Sequence, residues 1–112
     1  MELYKYTFEN GILTYNTIEV IETPKMYKVK NKGEYFPGYR TQVKKEELPW
    51  RTRNYNGGVI ILNNIDDKNY AIEKIRECYE NELNIAKIKL NKAQDVLESF
   101  EQAIKAEVRK YE

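Results

Sequence analysis

Few residues in this chain are equipped to make or break bonds. It contains no histidine, so the commonest general base and metal ligand is missing. Its one serine, Ser99, therefore has no imidazole to activate it. Its one cysteine, Cys78, stands beside Ile75 and Tyr79 in a stretch with helical spacing, where a free thiol ordinarily serves packing. Glu73, Glu77 and Glu80 share a helical face and offer oxygens to a hard cation, although such a face is more commonly just solvated. Gly57-Gly58 has neither the Lys-Ser/Thr of a phosphate-binding loop nor the spacing of a dinucleotide fingerprint, and reads as a turn. These residues predict a non-enzyme with no metal and no cofactor.

Binding chemistry is better represented. Between Lys25 and Arg53 nine basic residues stand against three acidic ones, interleaved with Tyr27, Tyr35, Phe36, Tyr39 and Trp50 and followed by Tyr55. Cations in that company neutralise phosphates while the rings stack on bases. The densest version is Trp50-Arg51-Thr52-Arg53 with Tyr55 beyond it. Arg contributes a planar fork of donors that suits phosphate oxygens. The expected ligand-binding set is Arg40, Arg51, Arg53, Lys28 and Lys30, with Trp50, Tyr39 or Tyr55 as the stacking ring. Lys28 and Lys30 have a plainer reading, as the wet face of a sheet or a guard on its edge. A nucleotide or short single strand fits this set. Long duplex DNA does not, because the net charge is only +1 and no helix-turn-helix or zinc pattern is present.

The elements that must carry these residues are read from periodicity. Tyr4, Tyr6 and Phe8 alternate with Leu3, Lys5 and Thr7, and Asn10-Gly11 then offers a tight turn into a second strand, Ile12 to Ile21. Thr23-Pro24 stops it, and Met26 to Lys30 reads as a third strand with Tyr27 and Val29 on its inner face. Asn31 to Gly38 reads as loop. Alternation from Tyr39 to Lys44 predicts a fourth strand. Lys44 to Leu48 has room for one helical turn before Pro49, Trp50 to Asn56 reads as irregular, and Val59 to Leu62 as a buried strand. Asn63, Asn64, Asp66 and Asp67 supply capping oxygens for a helix beginning there.

The remainder of the chain, Asp67 to Glu112, contains neither glycine nor proline. Its apolar residues recur at steps of three and four, the seam of a long amphipathic helix. A continuous helix of that length spans roughly 65–70 Å, against a radius of gyration near ~13 Å for a compact chain of this size. Leu83, Leu90, Leu97 and Ile104 occupy one seam position, and Tyr79, Ala86, Ala93 and Phe100 the other. Charges come in blocks: Glu77, Glu80 and Glu82, then Lys87, Lys89 and Lys92, then Asp95, Glu98 and Glu101, then Lys105, Arg109 and Lys110, diluted by Glu107. Folding the pattern about Ala93 sets each block against its opposite, whereas a parallel in-register pair sets each against itself. The expectation is an antiparallel helix pair across a two-fold axis, making a homodimer or a higher homo-oligomer whose interface includes Leu83, Ala86, Leu90, Ala93, Leu97, Phe100 and Ile104. A helical hairpin turning near Ala93 pairs the same blocks, and for the first turns the seam is expected to pack on the chain's own sheet.

With 112 residues the chain is expected to form one structural unit, a β-rich part over 1–66 and the long helix over 67–112, in an α+β fold with a small, mostly antiparallel sheet. No apolar run approaches the ~20 residues of a membrane span, the opening residues lack a signal peptide's apolar core, and a single cysteine suits a reducing compartment. A cytoplasmic protein with no membrane contact is expected.

Leu3-Tyr4-Lys5-Tyr6-Thr7-Phe8-Glu9-Asn10-Gly11, Lys25-Met26-Tyr27-Lys28-Val29 and Lys44-Lys45-Glu46-Glu47-Leu48 ahead of a terminal long helix resemble small phage proteins that counter host defence in AT-rich Gram-positive bacteria. These include anti-CRISPR proteins and the anti-Thoeris sponges that sequester nucleotide signals. The resemblance implies an oligomeric, non-catalytic inhibitor in the host cytoplasm, and near-neutral charge favours the ligand-sequestering type over a DNA mimic. Protein binding is the alternative it leaves open: an aromatic β surface set against a host defence protein. A structural phage protein is the third reading.

Overall fold

The structure is a computed structural model that describes residues 1–54 and 56–111, with side chains described to residue 107. Strands β1 (Glu2–Glu9) and β2 (Ile12–Glu22) form the hairpin the sequence predicts. Asn10 and Gly11 both take positive φ, 52° and 77°, as a two-residue turn of this hand requires. Strands β3 (Met26–Val29), β4 (Gln42–Lys44), β5 (Trp50–Arg53) and β6 (Val59–Asn63) complete one curled sheet in the order β4-β3-β2-β1-β6-β5, with every neighbour antiparallel. Helix α1 (Lys68–Tyr111) comes last as one uninterrupted element, so there is no hairpin near Ala93. The fold is α+β.

Two of these elements differ from the sequence reading. Trp50–Arg53, expected to be irregular, is a strand paired along its length with β6. The strand expected from Tyr39 begins only at Gln42, because Gly38 and Tyr39 both have left-handed backbone that breaks the extended run.

Register fixes two faces. On one, Leu3, Ile18, Val20, Tyr27, Val43 and Leu62 are buried together around Phe36, with Val29, Leu48 and Trp50 packed against them. Phe36 comes from the loop between β3 and β4, which thereby covers this face of the sheet. The other face buries Tyr6, Val59 and Ile61. Ala71, Ile75 and Cys78, at helical steps of four and three, are the buried stripe of the first turns of α1. Asp66 ties the entry to α1 to that face, accepting from the Tyr6 hydroxyl at 3.0 Å and the Tyr15 hydroxyl at 3.3 Å. Asp67 then caps the helix, its Oδ1 accepting from the Tyr70 amide at 2.9 Å.

The chain divides into two units, Met1–Cys78 and 79–112, with α1 shared between them. In the second unit every described side chain from Glu80 to Glu107 is exposed, the apolar seam included. No helix among the described residues is long and apolar enough to cross a membrane.

Candidate functional site

Four of the eight expected ligand-binding residues come together. Tyr39, Arg40, Trp50 and Arg53, with Pro37, Gly38, Thr52, Asn54 and Ile60, line an open hollow of about 360 Å³ between the loop ahead of β4 and strand β5. The backbone builds it in two steps. Phe36 donates its amide to the Arg40 carbonyl at 2.8 Å, closing a tight turn through Pro37, Gly38 and Tyr39. Pairing of β5 with β6 then sets Trp50 and Thr52 on the core side of the sheet, opposite Leu62 and Ile60.

Tyr39 is the unusual residue of this site. Its φ is +59°, a region a large side chain occupies at a cost of roughly 1–2 kcal/mol, and its side chain is 85% exposed. Its ring meets Tyr35 edge-on at 5.7 Å between centroids. The fold thus holds an aromatic ring out at the rim of the hollow rather than folding it in.

Arg40 is held from two sides. Both of its terminal nitrogens donate to Glu47, each at 3.0 Å, and its guanidinium lies 5.0 Å from the centre of the Trp50 ring. The Arg40 fork pulls the Glu47 carboxyl down to about 2, helped by the Lys44 amide, which donates to the same carboxylate at 3.0 Å. Glu47 is the residue sequence reasoning missed. It fixes the direction of Arg40 and offsets its charge. Arg53 donates to the Gly57 carbonyl at 3.1 Å from the far wall, across the β5–β6 connection. That connection is closely packed: a side chain on Gly58 would stand 2.5 Å from Asn54 Oδ1 and 2.9 Å from the Phe8 carbonyl.

The other expected residues lie elsewhere. Arg51 and Arg53 both sit on the side of β5 opposite Trp50, against Ile61 and Val59; Arg53, at the end of the strand, borders the hollow and Arg51 does not line it. Lys28 is on β3, with three strands between it and β5, and Lys30 lies 3.8 Å from Glu19. The expectation for Tyr55 falls outside the described residues. A second open hollow, of about 490 Å³, gathers Lys25, Lys44 and Lys45 with Glu46, Pro24 and Met26. Lys45 is engaged there, 2.6 Å from Glu22 and over the ring of Tyr27. On α1, Glu73 accepts from Arg76 and Glu77 from Lys74. Compared with family models, curated protein sequences and solved structures, the chain matches none of them.

Proposed function

We propose that this is a non-catalytic binding protein that sequesters a nucleotide-like anion in the hollow of Tyr39, Arg40, Trp50 and Arg53. The observation that carries the reading is Tyr39, a ring kept exposed on left-handed backbone in a hollow that Arg40 and Arg53 also line. Strained, exposed geometry of this kind is worth maintaining where it meets a ligand. In this arrangement Tyr39 stacks on the base and Arg53 takes the phosphate. Arg40, already matched by Glu47, shapes the wall and keeps Trp50 in place. Copies are joined through the exposed seam of α1 as an antiparallel pair, so that each assembly offers more than one hollow. The resemblance to phage anti-defence proteins supplies the setting, capture of a host signal molecule in the bacterial cytoplasm.

Thermal unfolding in the presence of mono-, di- and cyclic nucleotides tests this, because a ligand bound by the native state alone raises apparent stability. At least one nucleotide should raise the midpoint by several degrees, and Arg53→Ala or Tyr39→Ala should abolish the rise. A flat response across the panel, with the variants indistinguishable from wild type, removes the reading.

A further inference from the structure

The outer side of β2 carries a second surface. Only Val20, Ile21 and Glu22 of β2 pair with β3, while its residues 12–19 pair with β1 on the other side. Ile12 to Ile18 therefore has β1 along one side, and among the described residues no backbone hydrogen bond is formed along the other. The two-residue turn makes Glu9 and Ile12 a mutually hydrogen-bonded pair, so Ile12, Thr14, Asn16 and Ile18 direct their amides and carbonyls at β1. Leu13, Tyr15 and Thr17 direct theirs outward. The same alternation continues further along. The Lys30 amide reaches the outward carbonyl of Glu19 at 3.0 Å, and the inward Val20 amide reaches Met1 at 2.9 Å.

An open row of this kind invites strand pairing, and folded proteins ordinarily blunt it with charge, proline, a bulge or brevity. The two end strands of this sheet are blunted. β4 is three residues long and ends in Lys44; β5 follows Pro49 and carries Arg51 and Arg53. Ile12-Leu13-Thr14-Tyr15-Asn16-Thr17-Ile18 has no such guard: no charge, no proline, no glycine, and strand-forming side chains almost throughout. Ile12 is 62% exposed, Leu13 42% and Tyr15 47%.

We infer that the outer edge of Ile12–Ile18 is an interaction surface whose partner is the same edge of a second copy, paired antiparallel about Tyr15. The free stretch is centred on Tyr15, so its copy matches it over the whole length. Tyr15 faces Tyr15 of the second copy, Leu13 faces Thr17 and Ile12 faces Ile18. Each outward residue then meets an outward residue, and each such pair exchanges two hydrogen bonds. The strand of the second copy ends at Ile12, opposite Ile18, and so stops short of Glu19, whose carbonyl Lys30 already uses. Since the segment is uncharged, no like charges oppose one another in this register. A foreign strand would find no charge there to select it, whereas a second copy is complementary by construction.

This contact is separate from the helix seam, and its test is run in full-length Leu90→Glu/Leu97→Glu protein so that seam pairing does not mask it. Sedimentation should give a dimer in that background. Leu13→Lys/Thr17→Lys, which sets like charges opposite one another, should halve the mass with the circular dichroism spectrum unchanged. Leu13→Lys/Thr17→Glu, which sets opposite charges across the same pairs, should keep the dimer. In parallel, the amides of Leu13, Tyr15 and Thr17 should become protected from hydrogen exchange as protein concentration rises, while those of Thr14 and Asn16 are protected throughout. The inference is overturned if the mass does not respond to the two charge patterns and the outward amides exchange freely at every concentration. Outward amides that gain protection only on addition of an extended foreign peptide also overturn it.

Discussion

The guanidinium of Arg40 has two neighbours, the carboxylate of Glu47 and the face of Trp50, and together they decide what it does. A cation whose two terminal nitrogens donate to both oxygens of one carboxylate, and which lies over a ring, is a positioned group with little charge to spare for a ligand. Glu47 titrates at about 2 in the fold against an ordinary 4.5, because Arg40 and the Lys44 amide favour its ionised form. A depressed carboxylate contributes stability that is fully present above its unfolded value and is lost as pH falls through its folded value. Glu47→Gln should therefore lower the unfolding midpoint above about pH 4.5, with the gap to wild type closing as pH falls toward 2. With the Glu47 side chain 29% exposed, the gap should be modest. A gap that stays constant over this range would show that Glu47 acts through packing rather than charge. Tyr6 behaves in the opposite sense. Burial first, and the Asp66 carboxylate second, push its phenol up to about 12, so it remains a donor to Asp66 at any ordinary pH.

Among the elements, those whose periodicity is set by their own residues were legible in the sequence. The β1–β2 hairpin announces itself by alternation around Asn10-Gly11, and α1 by its steps of three and four. Strand β5 was not legible, since Trp50-Arg51-Thr52-Arg53 offers one large apolar residue among basic ones. Only pairing with β6 makes it a strand, and that pairing is non-local. Its weak alternation of Trp50 and Thr52 against Arg51 and Arg53 was the available signal. The same holds for the site. Tyr39, Arg40, Trp50 and Arg53 could be picked by type, but their convergence depends on a left-handed turn at Tyr39 that residue type does not foretell. Clustering of charge along the sequence also brought in Arg51, Lys28 and Lys30, which do not line the hollow. The seam of α1 makes a demand of its own: Leu90 and Leu97 are 58% and 57% exposed in the single chain. Burying each Leu stabilises a pair by ~1.5–3 kcal/mol, whereas each exposed ion pair contributes only ~0–1 kcal/mol. In the proposed helix pair, apolar area therefore supplies the stability and the charge blocks choose the direction. Sedimentation of Leu90→Glu/Leu97→Glu should give a lower mass than wild type, and equal masses would sink the helix pair.

On the scale of the whole molecule, the chain has few residues for catalysis and several for contact. In the function proposed here the hollow takes a small anion, and in the two proposed self-contacts the outer edge of β2 takes another strand and the seam of α1 another helix. On this proposal each surface binds without transforming what it holds, and the two self-contacts multiply the number of hollows in one assembly. Avidity of this sort suits a protein that must hold a scarce molecule away from its receptor. Native mass spectrometry of the purified protein, before and after addition of nucleotides, tests the central claim most directly. The account predicts an assembly of more than one chain that gains the mass of one nucleotide per chain, and an Arg53→Ala assembly of the same size that gains none. Wild-type protein whose mass is unmoved by every nucleotide supplied would contradict it.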